Sequence, residues 1–383
     1  MFFSVKNPVS ILKGSHRQRA FSLLADKRVL ARQDIATELG LSQQTAMKIM
    51  NYFSQVGLVN CAGEGDSQIG RKPQMYAFNP NIAQIIAAVH EGSVMRIGIL
   101  NLACEVLVEE TVEINGGIHE MLVEIPCEIT ERLLMRLIDK GIQPNRVLGL
   151  GLCLPGVVDD KKLNISFAPS FALQSSYHIG GLLNEVYERL GVPVTVENDV
   201  NAAVYGEFTA RNTSDLAFIS IGSGVGMGLV LDGKTRCGPM FTAGEVGLMP
   251  YYKNGDLLTS RSVEDYIALD ALKKQFGFDR HFSVEVMSPD AKASMISMVS
   301  DVAAYVIVTC ATMLNVSDFV LGGLTVELIG DELFKEVQRK AVSLSPFGVK
   351  LHKQRLSCPA LVGAARKIID MQMRTLLSLD KEK

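Results

Sequence analysis

No stretch of this sequence reads as a membrane span, a secretion signal or a cysteine framework. The longest apolar run, 302–316 (VAAYVIVTCATMLNV), is short for a bilayer and carries Tyr305 and Thr309, so it reads as a buried helix and no membrane partner is expected. The first residues, MFFSVKNPVS, lack a basic start, a long apolar stretch and a cleavage site. The seven cysteines are scattered, and no two of them form a CxxC. An odd, unpatterned set points to a reducing cytoplasm and away from disulfides or a cysteine-rich metal site. Nor is there a strong charge of one sign overall, since the net charge is only −3.

What is present fits an ordinary globular chain of two or three domains: 383 residues, 48% hydrophobic and 21% charged. The charge is unevenly placed. Residues 1–80 carry ten Lys and Arg against five Asp and Glu, whereas the remainder is net acidic. A small basic head on a larger acidic body suggests a polyanion partner for the head.

Within the head, helical spacing runs over 16–25, with Ala20, Phe21, Leu23 and Leu24 facing inward, and over 32–39 through Ile35, Ala36 and Leu39. Gly40 can take a left-handed turn, and Ser42 can cap a third helix over 43–55. In that helix Ala46, Ile49, Met50 and Phe53 would pack inward, leaving Gln43, Gln44, Thr45, Lys48 and Asn51 outside. Such a face suits a recognition helix. Gln and Asn form bidentate hydrogen bonds to adenine edges, while Ser42, Thr45 and Lys48 can hold phosphates. Strands over 57–59 and 75–78 would flank a polar wing carrying Arg71 and Lys72. The assignment is a winged helix-turn-helix over residues 1–80 that binds double-stranded operator DNA. The alternative is a three-helix module for protein interaction. The stretch DIATELGLSQQTAMKIMNYFSQVGLV, followed by GRKP, resembles the head of repressors in the ROK family (repressors, open reading frames and sugar kinases).

From about residue 82 strands alternate with helices. Strands are expected over 85–89 and 95–101 as a hairpin, then over 147–153, 194–196, 216–221 and 319–321. Helices are expected over 119–140, 181–190 and 200–208, and through much of 263–314. The resemblance extends along this body through GLCLPGVVDD, VPVTVENDVNAAVYGE, ISIGSGVGMGLVLDGK, TAGEVGLMP and LVGAARKII, in the family's order. It implies an α/β fold with a two-lobed, actin-like (ribonuclease H-like ATPase) body over 81–383. One lobe would span about 81–200 with the C-terminal helix and the other about 201–360. It also implies a sugar cleft between the lobes and a homodimer or homotetramer.

By the same resemblance, Asp199 of the END string stands at the family's catalytic base, and Asn198 at a sugar-hydroxyl ligand; the alternative is an Asx turn starting a helix. Family kinases carry a D-x-G-G-T-like string in the first hairpin, where this chain has His90-Glu91-Gly92-Ser93-Val94. The metal-orienting Asp is thus His90, and strand alternation is expected to send Glu91 to the other face. Gly222, Gly224, Gly226 and Gly228 can cradle phosphate or simply build a tight hairpin. Where relatives place a zinc-binding His and three Cys, this chain has Leu248, Gly255, Leu257 and Ser262, so no metal is expected. The order of that loop would come from packing of Leu248, Met249, Tyr251, Leu257 and Leu258. Glu245 and Glu264 remain, and with Asn198 and Asp199 they form a candidate ring for sugar hydroxyls; the alternative is surface charge. Ser170 stands where relatives carry a sugar-binding Asn. The reading is a cytoplasmic regulator, more a repressor than an activator, answering to a sugar or sugar phosphate, with no cofactor and no enzymatic activity. The competing readings are a carbohydrate kinase with an added DNA-binding head and a ligand-independent DNA-binding scaffold.

Overall fold

The computed structural model describes residues 8–65, 72–144, 146–168, 175–251, 261–277 and 283–376. The chain opens with α1 (Pro8–Lys27), β1 (Val29–Ala31), α2 (Arg32–Leu39), α3 (Gln43–Gln55), β2 (Val59–Glu64) and β3 (Gln74–Phe78). α1 is longer than its hydrophobic periodicity suggests, and β1 has no counterpart in the sequence pattern. β1 adds to the β2–β3 hairpin in the order β1-β3-β2, so the wing hangs on a three-stranded sheet. Ala20, Phe21, Leu24, Ile35, Ile49, Met50 and Phe53 fill the core between the three helices. Phe21 meets Phe78 edge to face with ring centroids 5.7 Å apart, which pins the wing hairpin to α1.

The body begins with β4 (Gln84–Glu91), β5 (Val94–Asn101), β6 (Val106–Glu113), α4 (Ile125–Asp139) and β7 (Val147–Leu154). A π-helical turn, Glu120–Glu124, leads into α4. A small sheet of β8 (Val157–Asp159), β9 (Asn164–Ser166) and β10 (Tyr177–His178) follows, then α5 (Gly180–Leu190), β11 (Val194–Asn198) and α6 (Asp199–Thr209). Next come β12 (Leu216–Ile221), β13 (Val225–Leu231), β14 (Lys234–Thr235), β15 (Pro250–Tyr251), β16 (Arg261–Ser262), α7 (Glu264–Ile267) and α8 (Leu269–Phe276). The chain closes with α9 (Pro289–Leu314), β17 (Asp318–Gly322), α10 (Leu324–Ile329), α11 (Asp331–Leu344), β18 (Lys350–Lys353) and α12 (Pro359–Leu376).

Two five-stranded sheets share one plan. The first has the order β11-β7-β4-β5-β6 and the second β14-β13-β12-β17-β18. In each, an antiparallel meander (β4-β5-β6 or β12-β13-β14) is extended on its first strand by two parallel strands. This repeated plan is the actin-like α/β architecture that the sequence implied. The apolar run 302–316 lies mostly in α9, a helix long and apolar enough by length and composition to cross a bilayer. Its Met295, Val299, Val302, Ala303, Val306 and Ile307 are instead buried in the core beneath the second sheet.

Two helices join the sheets. α6 leaves the first sheet from β11 and packs on β12 and β13 of the second, whereas α12 follows β18 of the second and packs on β4 and β7 of the first. They cross where glycines let backbone meet backbone. A Cβ on Gly206 would stand 2.1 Å from the Pro359 carbonyl oxygen, and one on Gly363 1.8 Å from that of Ala202. Beside the crossing, Glu207 is fully buried. Its Oε1 accepts the backbone N–H groups of Arg355 and Leu356, each at 2.9 Å, and its other oxygen pairs with the Arg211 guanidinium. This buried ion pair ties α6 to the segment entering α12. α12 also touches α1 of the head, and Arg28 reaches Glu105 at 3.0 Å.

Candidate functional site

In the head, Gly40 adopts φ 63°, and the Leu41 N–H returns to the Ala36 carbonyl at 2.8 Å, turning the chain sharply between α2 and α3. The Ser42 hydroxyl accepts the Thr45 N–H at 3.2 Å and sits 2.9 Å from the Thr45 hydroxyl, so this cap fixes the first turn of α3. Ala46, Ile49, Met50 and Phe53 are buried, and Gln43, Gln44, Lys48 and Asn51 are exposed with Ser42; Thr45 is half-buried. The result is an exposed, mainly polar face on α3, interrupted by Met47. Lys72 is exposed at the near side of the wing, while Arg71 lies outside the described residues.

In the body, the parallel strands of the first sheet deliver their C-terminal ends to one edge, where open α/β sheets bind ligands. β11 brings Asn198 and Asp199 there. Asn198 is the N-cap of α6. Its side-chain oxygen accepts the Asn201 N–H at 2.9 Å, and its amide donates to the Gly156 carbonyl at 2.9 Å and to Asp199 Oδ1 at 3.2 Å. The Asx-turn alternative is therefore realised in Asn198, whose side chain holds Asp199 in place. Asp199 Oδ1 also accepts the Val200 N–H at 2.8 Å. Burial raises the Asp199 carboxyl to a pKa of about 7, helped by the charges of Glu245 and Glu91. Near neutral pH it can therefore either accept from a sugar hydroxyl or donate to one.

The second lobe supplies Glu245 and Glu264. Gly244 has φ 95° and lies so close to β13 that a Cβ would stand 1.8 Å from the Met227 carbonyl oxygen. A Cβ on Gly247 would stand 2.3 Å from the Val225 carbonyl and 3.0 Å from Glu264 Oε2. These two glycines let the loop lie flat on β13 and bring Glu245 beside Glu264. Both carboxylates are half-buried, and the Glu245 pKa is raised by burial and by the Glu264 charge. Asp199, Glu245 and Glu264 thus lie near enough that the Glu264 charge acts on Glu245 and the Glu245 charge on Asp199.

The structure corrects the reading of the first hairpin. Ile85, Ala87 and Val89 face the α12 side of the sheet, and Ile86 and Ala88 the opposite core. The same alternation puts Glu91 on the cleft side. Its Oε1 accepts from the Cys358 thiol at 3.6 Å, and its charge acts on Asp199. His90 is buried and lies across from Met95, on the far face; burial lowers its pKa to about 4. Alternation separates His90 from Glu91 as expected, but an all-apolar strand does not reveal which face looks into the cleft.

The glycine series divides between two roles. A Cβ on Gly226 would meet Val200 at 3.1 Å, and one on Gly228 the Val200 carbonyl at 2.4 Å, so these two admit α6 onto β13. Gly222 and Gly224 border the cleft, where a Cβ on Gly224 would meet Glu264 Oε2 at 3.6 Å. Gly323, with φ 96°, is crowded by Ile221 backbone. Of the residues at the family's zinc positions, Leu248 is 61% exposed rather than packed, so it does not order its loop. Ser262 bonds to Asp265 at 2.8 Å, and Gly255, Leu257 and Leu258 lie outside the described residues, as does Ser170. Met249 and Tyr251 do pack against the second core.

Comparison with known proteins places this geometry. The chain is 24% identical to a putative xylose repressor from Caldicellulosiruptor sp. (strain Rt8B.4), over 92% of this chain and 93% of the relative. It is 27% identical to a xylose repressor of Caldicellulosiruptor bescii over 62% of this chain, and that match spans only 59% of the relative. A crystal structure of a ROK family transcriptional regulator, described as a homologue of the E. coli Mlc protein, shares the fold with TM-score 0.73 at 20% identity. That match covers 96% of this chain and 98% of the other. A ROK family glucokinase from Streptomyces griseus, solved with glucose and AMPPNP, shares the fold of the body with TM-score 0.56 at 21% identity, over 74% of this chain and 99% of the kinase. The ROK family model matches residues 95–346, well over half of the sequence, and the chain belongs to the ROK family.

Proposed function

We propose that this protein is a sugar-responsive transcriptional repressor. Residues 1–80 form the DNA-binding unit, and residues 81–383 form a sugar-sensing body that carries out no phosphoryl transfer. The observation that carries the reading is the convergence of Asp199 with Glu245 and Glu264 from the opposite lobe, in a chain whose α3 presents an exposed polar face. Carboxylates accept hydrogen bonds from vicinal hydroxyls, and a ligand held by both lobes fixes their relation. Ser42, Gln43, Gln44, Thr45, Lys48 and Asn51 would contact operator DNA, with Arg71 and Lys72 from the wing. Asp199, Glu245 and Glu264 would contact sugar, with Asn198 orienting Asp199. The repressor names of the relatives support this function.

The helices that cross at Gly206 and Gly363 supply a route between the sites, because α12 touches the first sheet, α6 and the head's α1. A ligand that favours one arrangement of the lobes would shift α12 and with it the head. Two heads on a symmetric operator call for a homodimer or a larger homo-oligomer. Against kinase activity, the hairpin that would hold phosphate carries Glu91 toward Asp199, with His90 turned away. Phosphoryl transfer relies mainly on cations and N–H donors around the phosphates, whereas a base contributes only about 10²–10⁴-fold. A thermal-shift screen of sugars and sugar phosphates, with hits retested for release from DNA and for ATP consumption, tests the reading. Ligand-dependent release without ATP turnover is expected; turnover at ordinary kinase rates would reject it.

A further inference from the structure

Among the described residues, the cleft gathers four carboxylates, those of Glu91, Asp199, Glu245 and Glu264. Glu91 ends β4 at the edge where β7 ends and β11 delivers Asp199. Beyond it, Gly92 (φ 65°) and Ser93 form an exposed two-residue turn into β5. The guanidinium of Arg96, also near this edge, stands against Glu91 as a loose ion pair, Nε to Oε2 at 3.8 Å, with its Nε in no hydrogen bond. The Gly222 N–H, at the facing glycine turn, is bonded to the Gly224 carbonyl at 2.9 Å and is not free for a phosphate oxygen. Lys367 on α12 is bound to Glu197 at 2.5 Å and Asp160 at 3.4 Å. A phosphoryl group at this edge would bring a near-dianion toward Glu91, Asp199, Glu245 and Glu264, while Lys367 and the Gly222 N–H are already bonded and the Glu91 carboxylate lies between it and Arg96. A neutral sugar brings hydroxyl donors, which carboxylates accept.

We propose that Glu91 sets the ligand class of the cleft, which admits uncharged sugars and refuses sugar phosphates and nucleotides. This rests on the reading of the cleft as a sugar site and narrows it. Glu91 acts here as a specificity residue, its carboxylate occupying the turn-side corner where a phosphate would sit. Its hydrogen bond from Cys358 holds it at that corner, at the start of α12. Substitution by Gln keeps an acceptor for the thiol and removes the charge.

The experiment is calorimetric titration of the full-length protein and its Glu91→Gln variant with matched pairs: xylose and xylose 5-phosphate, glucose and glucose 6-phosphate, and ATP alone. For the wild type the neutral member of the binding pair should bind at least about tenfold more tightly than its phosphate, a gap of about 1.4 kcal/mol. In Glu91→Gln that ratio should fall to about threefold or less. Equal or tighter binding of the phosphate by the wild type would overturn the proposal while leaving the sugar cleft intact. A ratio unchanged in Glu91→Gln would show that another group sets the preference and would overturn the role of Glu91. Binding of neither member of any pair would reject the sugar-cleft reading, and this proposal with it.

Discussion

Replacing Asp199 with Asn should stabilise the protein, and increasingly so as pH rises. Asp199 is packed at the start of α6 with Oδ1 bonded to Val200, and burial together with Glu245 and Glu91 raises its pKa from 3.8 to about 7. Between those two values the folded chain holds a proton that the unfolded chain has released, so the Asp199 contribution to stability falls as pH climbs. At about 1.4 kcal/mol per unit, the full span amounts to about 4 kcal/mol, of which roughly half lies between pH 5.5 and 8. The cleft leaves Asp199 partly open to water, which reduces that half to about 1–2 kcal/mol. The substituted amide would be neutral throughout, keep an oxygen for the Val200 N–H, and offer its NH₂ to Glu245 or Glu91. Urea unfolding of both proteins at pH 5.5 and 8, followed by circular dichroism, measures the difference. The advantage of Asp199→Asn should widen by about 1–2 kcal/mol at the higher pH. An advantage that does not change with pH, or a less stable variant at pH 8, would show that Asp199 holds no extra proton in the folded chain. Stability is commonly given up in this way where a side chain serves function rather than packing.

Other substitutions probe the parts that position this site. Gly363→Ala places a methyl 1.8 Å from the Ala202 carbonyl, so α6 and α12 must separate, and a loss above about 3 kcal/mol is expected in urea unfolding. Glu207→Ala strands the Arg211 guanidinium and two N–H groups in the core and should cost about 3–5 kcal/mol by the same measurement. In the head, Lys48→Ala should weaken binding to all DNA sequences alike and reduce the slope of log affinity against log salt by about one. Gln44→Ala should instead relax the preference at one base pair by about 1–3 kcal/mol, read by competition between operator variants.

The head is legible in the sequence because its signals are local. Gly40, the Ser42 cap and the buried set Ala46, Ile49, Met50 and Phe53 all follow from spacing within one or two turns. β1 is not legible, because three residues joining the edge of a hairpin carry no periodicity of their own. In the body, strand and helix positions follow from apolar pattern and turn residues, whereas relations between distant segments do not. The face of β4 is the plain case: Ile85 to Val89 are all buried, so period-two alternation has no polar member to mark the cleft side, and it is the resemblance, with His90 at the metal-orienting position, that sends Glu91 away from it. The close crossing of Gly206 and Gly363 joins residues far apart in sequence, and nothing in AVYGE or LVGAA by itself announces a partner. Asn198 reads as a sugar contact from its place in the END string; that its side chain also caps α6 and bonds to Gly156 and Asp199 is not legible there.

Whether sugar in this cleft governs DNA binding by the head can be read from the fluorescence anisotropy of a labelled operator fragment. The fragment would be selected for binding to the full-length protein, and the sugar would be the best hit from a thermal-shift screen. Wild type should release the fragment as sugar is added. Glu245→Ala should bind the same fragment with unchanged affinity but need about ten- to a hundredfold more sugar to release it, since a lost charge-assisted hydrogen bond costs roughly 1.5–3 kcal/mol. Identical release curves for both proteins, or wild-type binding that no sugar alters, would contradict the account.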